Sequence, residues 1–167
     1  MKPVRFHSWN VSPDEEDHYR RSIYIFARRN LRYPMFEAFD RPDANVSCPK
    51  RQKSTTAPQA LILFNSKLSM DLARRMASDI LRTVREDDEF IREVLRRCWS
   101  REPEPETINA ALAYFVQSRK DAQITPLEAL NQVTPIPLPA DLSVREAAAY
   151  SEFCLIAFNT LEFIVMQ

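Results

Sequence analysis

The residues with the most chemical potential lie between positions 19 and 65. Arg20, Arg21, Asp40, Asp43, Arg51, Thr56, Gln59 and Asn65 are polar or charged and stand in a stretch with little regular patterning. Arginine forks bind carboxylate, sulfate or phosphate through two parallel hydrogen bonds, so a convergence of these side chains would make an anion-binding site. The competing reading is structural. Arg–Asp pairs and Gln or Asn amides satisfy backbone groups in the irregular segment 40–55, which needs such partners if it is buried.

Other combinations carry less. Asp40 and Asp43 flank a proline, a spacing typical of turns and caps. A catalytic or Ca²⁺-binding carboxylate pair would need a set separation across a cleft. His7 and His18 are the two histidines, and with Glu15, Glu16 and Asp17 nearby they match no metal-ligand spacing. Ser54, Thr55 and Thr56 have no adjacent base to activate a nucleophile and suit helix capping instead. Arg28, Arg29 and Arg32 interleave with Phe26, Tyr33 and Phe36, as in single-stranded nucleic-acid binders. The formal net charge of zero argues against that reading, and no nucleic acid is expected as a partner.

Composition excludes whole classes of site. The chain has no glycine, where average usage of roughly 7% would supply about a dozen. A P-loop, a dinucleotide-binding turn and a nucleophile elbow each need glycine for positive φ or close backbone approach. Cys48, Cys98 and Cys154 are widely spaced, so no Cys-x-x-Cys exists for zinc, redox chemistry or haem attachment. No metal site is expected. The longest apolar runs are far too short to span a membrane, and no apolar N-terminal leader is present. Residues 1–53 hold 11 Lys/Arg against 7 Asp/Glu, whereas residues 54–167 hold 12 against 16.

The elements that would position these residues read as mainly α. We expect one domain over 1–167, with about five helices, an irregular N-terminal third and at most one or two short strands. Residues 1–18 read as a frayed segment, although Ser12-Pro13-Asp14-Glu15 has capping-box spacing and predicts a short helix. The run Ile23-Tyr24-Ile25-Phe26 favours a short buried strand over a helix. Tyr33 to Phe39 suits a helical turn. The irregular block ends in an apolar helix from Ala60 to Phe64, closing at Asn65. Residues 66–121 carry three helical stripes: Leu72 to Val84; Phe90 to Cys98, with Asp87 and Asp88 at its start; and Ile108 to Val116, opened by Pro105. Residues 122–142, with four prolines, read as an extended crossing. Ser143-Val144-Arg145-Glu146 is a second capping-box sequence, opening a C-terminal helix over 143–167. Asn65 and Asn159 are candidate helix ends in the absence of glycine.

Several of these residues also carry a family resemblance. Arg20-Arg21-Ser22-Ile23-Tyr24 resembles an RRSLY opening, and Phe39-Asp40-Arg41-Pro42-Asp43 an FDxPD turn. Cys48, Arg51, Thr56, Pro58, Gln59, Ala60, Leu61 and Asn65 fall on a Cys/Arg/TPLQAL/LN pattern, and Ala157 to Phe163 resembles a closing LLNxNEF. Together they resemble the C-terminal domain of the large multi-domain c-type cytochromes of planctomycetes, known as domain of unknown function 1553. The resemblance implies exported, periplasmic or cell-surface relatives, with an export signal, a haem-binding Cys-x-x-Cys-His module and a further domain upstream. The present sequence holds none of these, so it is expected to be truncated at its N-terminus and to carry no cofactor itself. Upstream domains or another protein are the expected partners. The expected role is a non-catalytic structural or interaction module. The alternative is an enzyme or binding domain acting on extracellular polysaccharide, with Arg21, Asp40 and Arg51 at its site.

Overall fold

A computed structural model describes residues 12–26, 33–42, 47 and 57–164. The chain is mainly α: among the described residues there are eight α-helices, two 3-10 turns and no strand. Two compact units divide it, Met1–Ile62 and Leu63–Gln167.

In the first unit, a 3-10 turn spans Glu15–Tyr19. Its cap is Asp14, whose carboxylate accepts from the Glu16 N–H at 3.0 Å. Ser12, predicted as the cap, instead donates to the Asp17 carboxylate at 2.7 Å. The strand expected at Ile23–Phe26 is absent. Ser22–Tyr24 is a second 3-10 turn, and Ile23, Tyr24 and Phe26 are 79%, 72% and 75% exposed. A four-residue apolar run specifies a strand only when neighbouring strands pair with it, and the described residues offer none.

Helix α1 (Pro34–Ala38) opens with proline at its first position. It ends in a Schellman arrangement. Arg41 N–H donates to the Phe36 carbonyl at 2.9 Å, and Asp40 N–H to Glu37 at 3.4 Å. Asp40 sits between them with φ 54°. Helix α2 spans Ala57–Asn65, close to its expected position.

In the second unit, helix α3 (Lys67–Ile80) is capped by Ser66, which accepts from Ser69 N–H at 3.0 Å. Helix α4 spans Asp87–Trp99 and α5 Pro105–Ile124. All three follow the predicted stripes in the main, but Leu72 and Val116, placed on the apolar faces, are exposed. Helix α7 (Val144–Phe158) is the centre of this unit: ten of its residues are buried, and α3, α4, α5, α6 and α8 all pack on it. The small side chains Ala147, Ala148 and Ala149 let neighbours approach closely, and Ala73 and Ala77 of α3 are fully buried. The capping box expected at Ser143 and Glu146 is formed in both directions. An aromatic knot fills the core. Tyr150 packs edge-on against Phe90 at 4.7 Å and Phe115 at 5.2 Å.

Two expectations need correction here. Residues 122–142 are not an extended crossing throughout. They contain the end of α5 and a further helix, α6 (Leu127–Val133), whose Leu130 is buried with Ala122 and Ala148. Leu127, Leu130 and Val133 recur at three-residue spacing, and the flanking Pro126 and Pro135 bound the helix rather than preventing it. The following segment is pinned to α3: Arg74 Nε donates to the Thr134 carbonyl at 2.5 Å and Ser78 Oγ to Pro137 at 2.7 Å. The final helix also does not run unbroken over 143–167. Asn159 closes α7, its Nδ2 donating to the Leu155 carbonyl at 2.9 Å, and a short α8 (Leu161–Ile164) follows.

Candidate functional site

The residues singled out from the sequence are placed as follows. Arg20 pairs with Asp17 at 3.1 Å through a largely exposed side chain. Arg21 is exposed at the start of the Ser22–Tyr24 turn. Asp40 supplies the left-handed residue after α1. Gln59 is buried, and its amide donates to the Ala38 carbonyl at 2.9 Å, so it joins α2 to the end of the helix that Asp40 terminates. Asn65 is the exposed last residue of α2. Asp43, Arg51 and Thr56 lie outside the described residues, as do Cys48, His7, Ser54, Thr55 and the arginines at 28, 29 and 32.

Among the described residues the densest polar constellation lies elsewhere, on three helices of the second unit. Asp87 is the first residue of α4, Arg119 lies late in α5 and Tyr150 midway along α7. Arg119 Nη1 and Nη2 donate to Asp87 Oδ2 and Oδ1 at 2.6 and 2.7 Å, a two-pronged fork. Tyr150 donates its hydroxyl to Asp87 Oδ1 at 2.8 Å and accepts from Arg119 Nη2 at 3.0 Å. The guanidinium also lies 5.4 Å from the centroids of the Phe115 and Tyr150 rings. The α4 N-terminus adds the positive end of its dipole.

The electrostatics follow from these contacts. Partial burial opposes charge on Asp87, but the hydrogen bonds from Arg119 and Tyr150 and the nearby guanidinium outweigh it and hold the carboxyl below its usual range. Burial and the Asp87 charge push the Tyr150 hydroxyl up to about 12. A second set stands between α5 and α7, where Ser118 and Tyr114 donate to Glu152 at 2.8 and 3.3 Å. Burial and Glu152 raise Tyr114 to about 12. Burial alone raises Cys98 to about 11, and it raises the fully enclosed Cys154 well above a free thiol. A cleft of about 610 Å³ opens beside the Asp87 cluster, with Leu112 and Leu142 in its wall.

Only Asp87 of the cluster was singled out in the sequence, as a favourable charge at a helix start. Its partners are 32 and 63 residues away, and no local spacing joins them. Among the described residues, no group of three or more His, Cys, Asp or Glu is placed to hold a metal ion, and no helix is long and apolar enough to cross a membrane.

Comparison with known families gives a match over residues 1–115 to the family described as "Protein of unknown function (DUF1553)". The chain belongs to that family. No curated protein and no solved structure gives a significant match. The DUF1553 match takes in α1 to α4 and α5 as far as Phe115. Asp87 therefore lies inside the matched region, while Arg119 and Tyr150 lie beyond it.

Proposed function

We propose that this DUF1553 chain is a non-catalytic structural or interaction module, serving neighbouring modules of a planctomycete cytochrome-associated envelope protein. The setting comes from the resemblance of its motifs to that group of proteins. Haem belongs, on this reading, to upstream modules of the full-length relatives, since no Cys-x-x-Cys-His is present in this sequence.

The observation that carries the non-catalytic reading is the closure of the Asp87–Arg119–Tyr150 cluster on itself. General acid–base catalysis works best with groups that titrate near the operating pH. Here Asp87 is held low, while Tyr114, Tyr150 and Cys98 are held at about 11 or above. The fork and the tyrosine bond use the guanidinium and the carboxylate on each other, which fastens α4, α5 and α7 together. Exposed apolar side chains at Ile23, Tyr24 and Phe26 in the first unit, and at Ile124 in the second, suit docking to other protein surfaces.

Two measurements test this together. The wild-type chain is incubated with a panel of extracellular polysaccharides and assayed for new reducing ends, and the Asp87→Asn variant is followed by denaturant unfolding. The module reading expects no reducing ends and a lowered unfolding midpoint. Release of reducing ends by the wild type, abolished in an Asp87→Asn variant of unchanged midpoint, would establish an enzyme instead.

A further inference from the structure

We propose that the cleft beside the Asp87 cluster is the docking site for a basic side chain, arginine or lysine, projecting from a partner protein. The proposal rests on the interaction-module reading and names the chemistry of its partner.

Charge balance decides the sign of the occupant. The cleft has two cationic residues in its wall, and both are already engaged. Arg119 is forked onto Asp87, and Arg85 pairs with Asp141 at 3.1 Å and donates to the Leu81 carbonyl. Glu146 also lines the cleft; its carboxylate accepts the Ser143 N–H and hydroxyl at 3.0 and 2.6 Å and feels the charge of Arg119, a guanidinium it shares with Asp87. Glu86 and Asp88 are exposed in the wall and have no cationic partner among the described residues. An incoming anion would meet these carboxylates with no arginine available to receive it. An incoming guanidinium or ammonium supplies the missing counter-charge.

Shape decides the length of the occupant. About 610 Å³ is far more than a bare ion fills and lies within the range of sites for small organic groups. Leu112 and Leu142 give the wall an apolar portion that a methylene stem covers while its charged head stays at the acidic rim. The wider field has the same sign. Residues 54–167 hold 16 acidic against 12 basic side chains, which draws a basic segment toward this unit.

The test uses the full chain and calorimetric titration with two amidated probe peptides, one of three Ala-Leu-Arg repeats and one of three Ala-Leu-Glu repeats. The arginine peptide is expected to bind and to weaken in high salt, and the glutamate peptide not to bind. The double variant Glu86→Gln/Asp88→Asn should bind about tenfold more weakly, as the loss of two solvent-exposed charge pairs implies. A control, Glu106→Gln/Glu128→Gln, removes the same charge away from the cleft and should bind like the wild type. Thermal melts of both variants confirm their fold. No binding of the arginine peptide, equal binding of the glutamate peptide, or equal weakening in both double variants would each overturn the proposal. None of these results bears on the polysaccharide assay, so failure of the cleft and failure of the non-catalytic reading remain distinguishable.

Discussion

Arg119 holds Asp87 by both terminal guanidinium nitrogens, at 2.6 and 2.7 Å, and so joins the start of α4 to the last third of α5. Tyr150 closes the arrangement from α7. Removing one partner leaves the other half-buried and uncompensated. Arg119→Met should therefore lower the unfolding free energy by about 1–3 kcal/mol. That is less than the roughly 3–5 kcal/mol typical of fully buried pairs, because the two side chains remain 33% and 27% exposed. Chemical denaturation of the single variants and of Arg119→Met/Asp87→Asn together gives the coupling. Additive losses would show that the fork contributes nothing as a pair.

The same cluster sets a pH dependence on both sides of neutrality. Asp87 has its folded pKa below the ordinary value of 3.8, so the unfolded chain takes up that proton first as the pH falls. Its stabilising contribution is complete above about pH 4 and is lost as the pH drops through the folded value. Tyr150 has its folded pKa raised from 10.0 to about 12, so the unfolded chain loses that proton first as the pH rises. Its contribution is complete below pH 10 and fades toward pH 12. Tyr150→Phe should flatten the alkaline limb of a plot of unfolding midpoint against pH. An alkaline limb identical to that of the wild type would mean that Tyr150 plays no part in it.

The helical stripes were legible because burial on α7 rewards a regular apolar face: Ile80, Phe90, Val94, Ile108 and Phe115 all fall where their spacing put them, in the core. Ser143 and Glu146 were legible because a capping box is local. The Asp87 fork was not, because its members come from three helices whose packing alone brings them together. Residues 127–133 were misread because four prolines in the surrounding stretch outweighed a seven-residue stripe that is stable only through Leu130 against Ala122 and Ala148. Ile23 and Tyr24 were misread because β-branched and aromatic character marks a strand only when other strands are present.

The absence of glycine leaves two left-handed positions among the described residues occupied by other residue types, Asp40 at φ 54° and Ser100 at φ 55°. Ser100 follows α4 and donates its N–H to the Arg96 carbonyl at 2.9 Å, the αL ending. A left-handed conformation costs an ordinary residue about 1 kcal/mol that glycine avoids. Ser100→Gly should leave stability unchanged or raise it by up to about 1 kcal/mol, and Ser100→Val should lower it by more than that. At Asp40, glycine should likewise be tolerated better than alanine. A thermal melt in which valine matched glycine at position 100 would contradict the role assigned to this turn.

The thiols should differ in reactivity. Cys98 is partly exposed, with its pKa raised to about 11 by burial, and Cys154 is enclosed. The thiolate is the nucleophile, so alkylation of Cys98 by iodoacetamide should be slow at neutral pH and climb about tenfold per pH unit up to about pH 10. Cys154 should label only on unfolding. Mass-spectrometric peptide mapping separates the two, and labelling of Cys154 in the native chain at the rate of Cys98 would contradict the packing of α7.

Ser151 offers the sharpest check on the core. It is fully buried on α7 next to Tyr150, and its hydroxyl oxygen has no hydrogen-bond partner. A buried hydroxyl without a partner forfeits its hydration and gains nothing in return, at a cost of about 1–3 kcal/mol. Alanine keeps the Cβ and removes the hydroxyl, and it has the higher helix propensity by a few tenths of a kcal/mol. The vacated space is smaller than a methyl group's, and the residues one turn before it on the same face of α7, Ala147 and Ala148, are themselves small and buried. Relief of the unpaired hydroxyl therefore outweighs the small packing loss. Ser151→Ala should stabilise the chain by about 1 kcal/mol, the opposite sign to most core substitutions. Denaturant midpoints of the two proteins at equal m-value decide the matter: a clear loss of stability on removing the hydroxyl would mean that Ser151 is bonded in solution, by a water or by a carbonyl of the preceding turn.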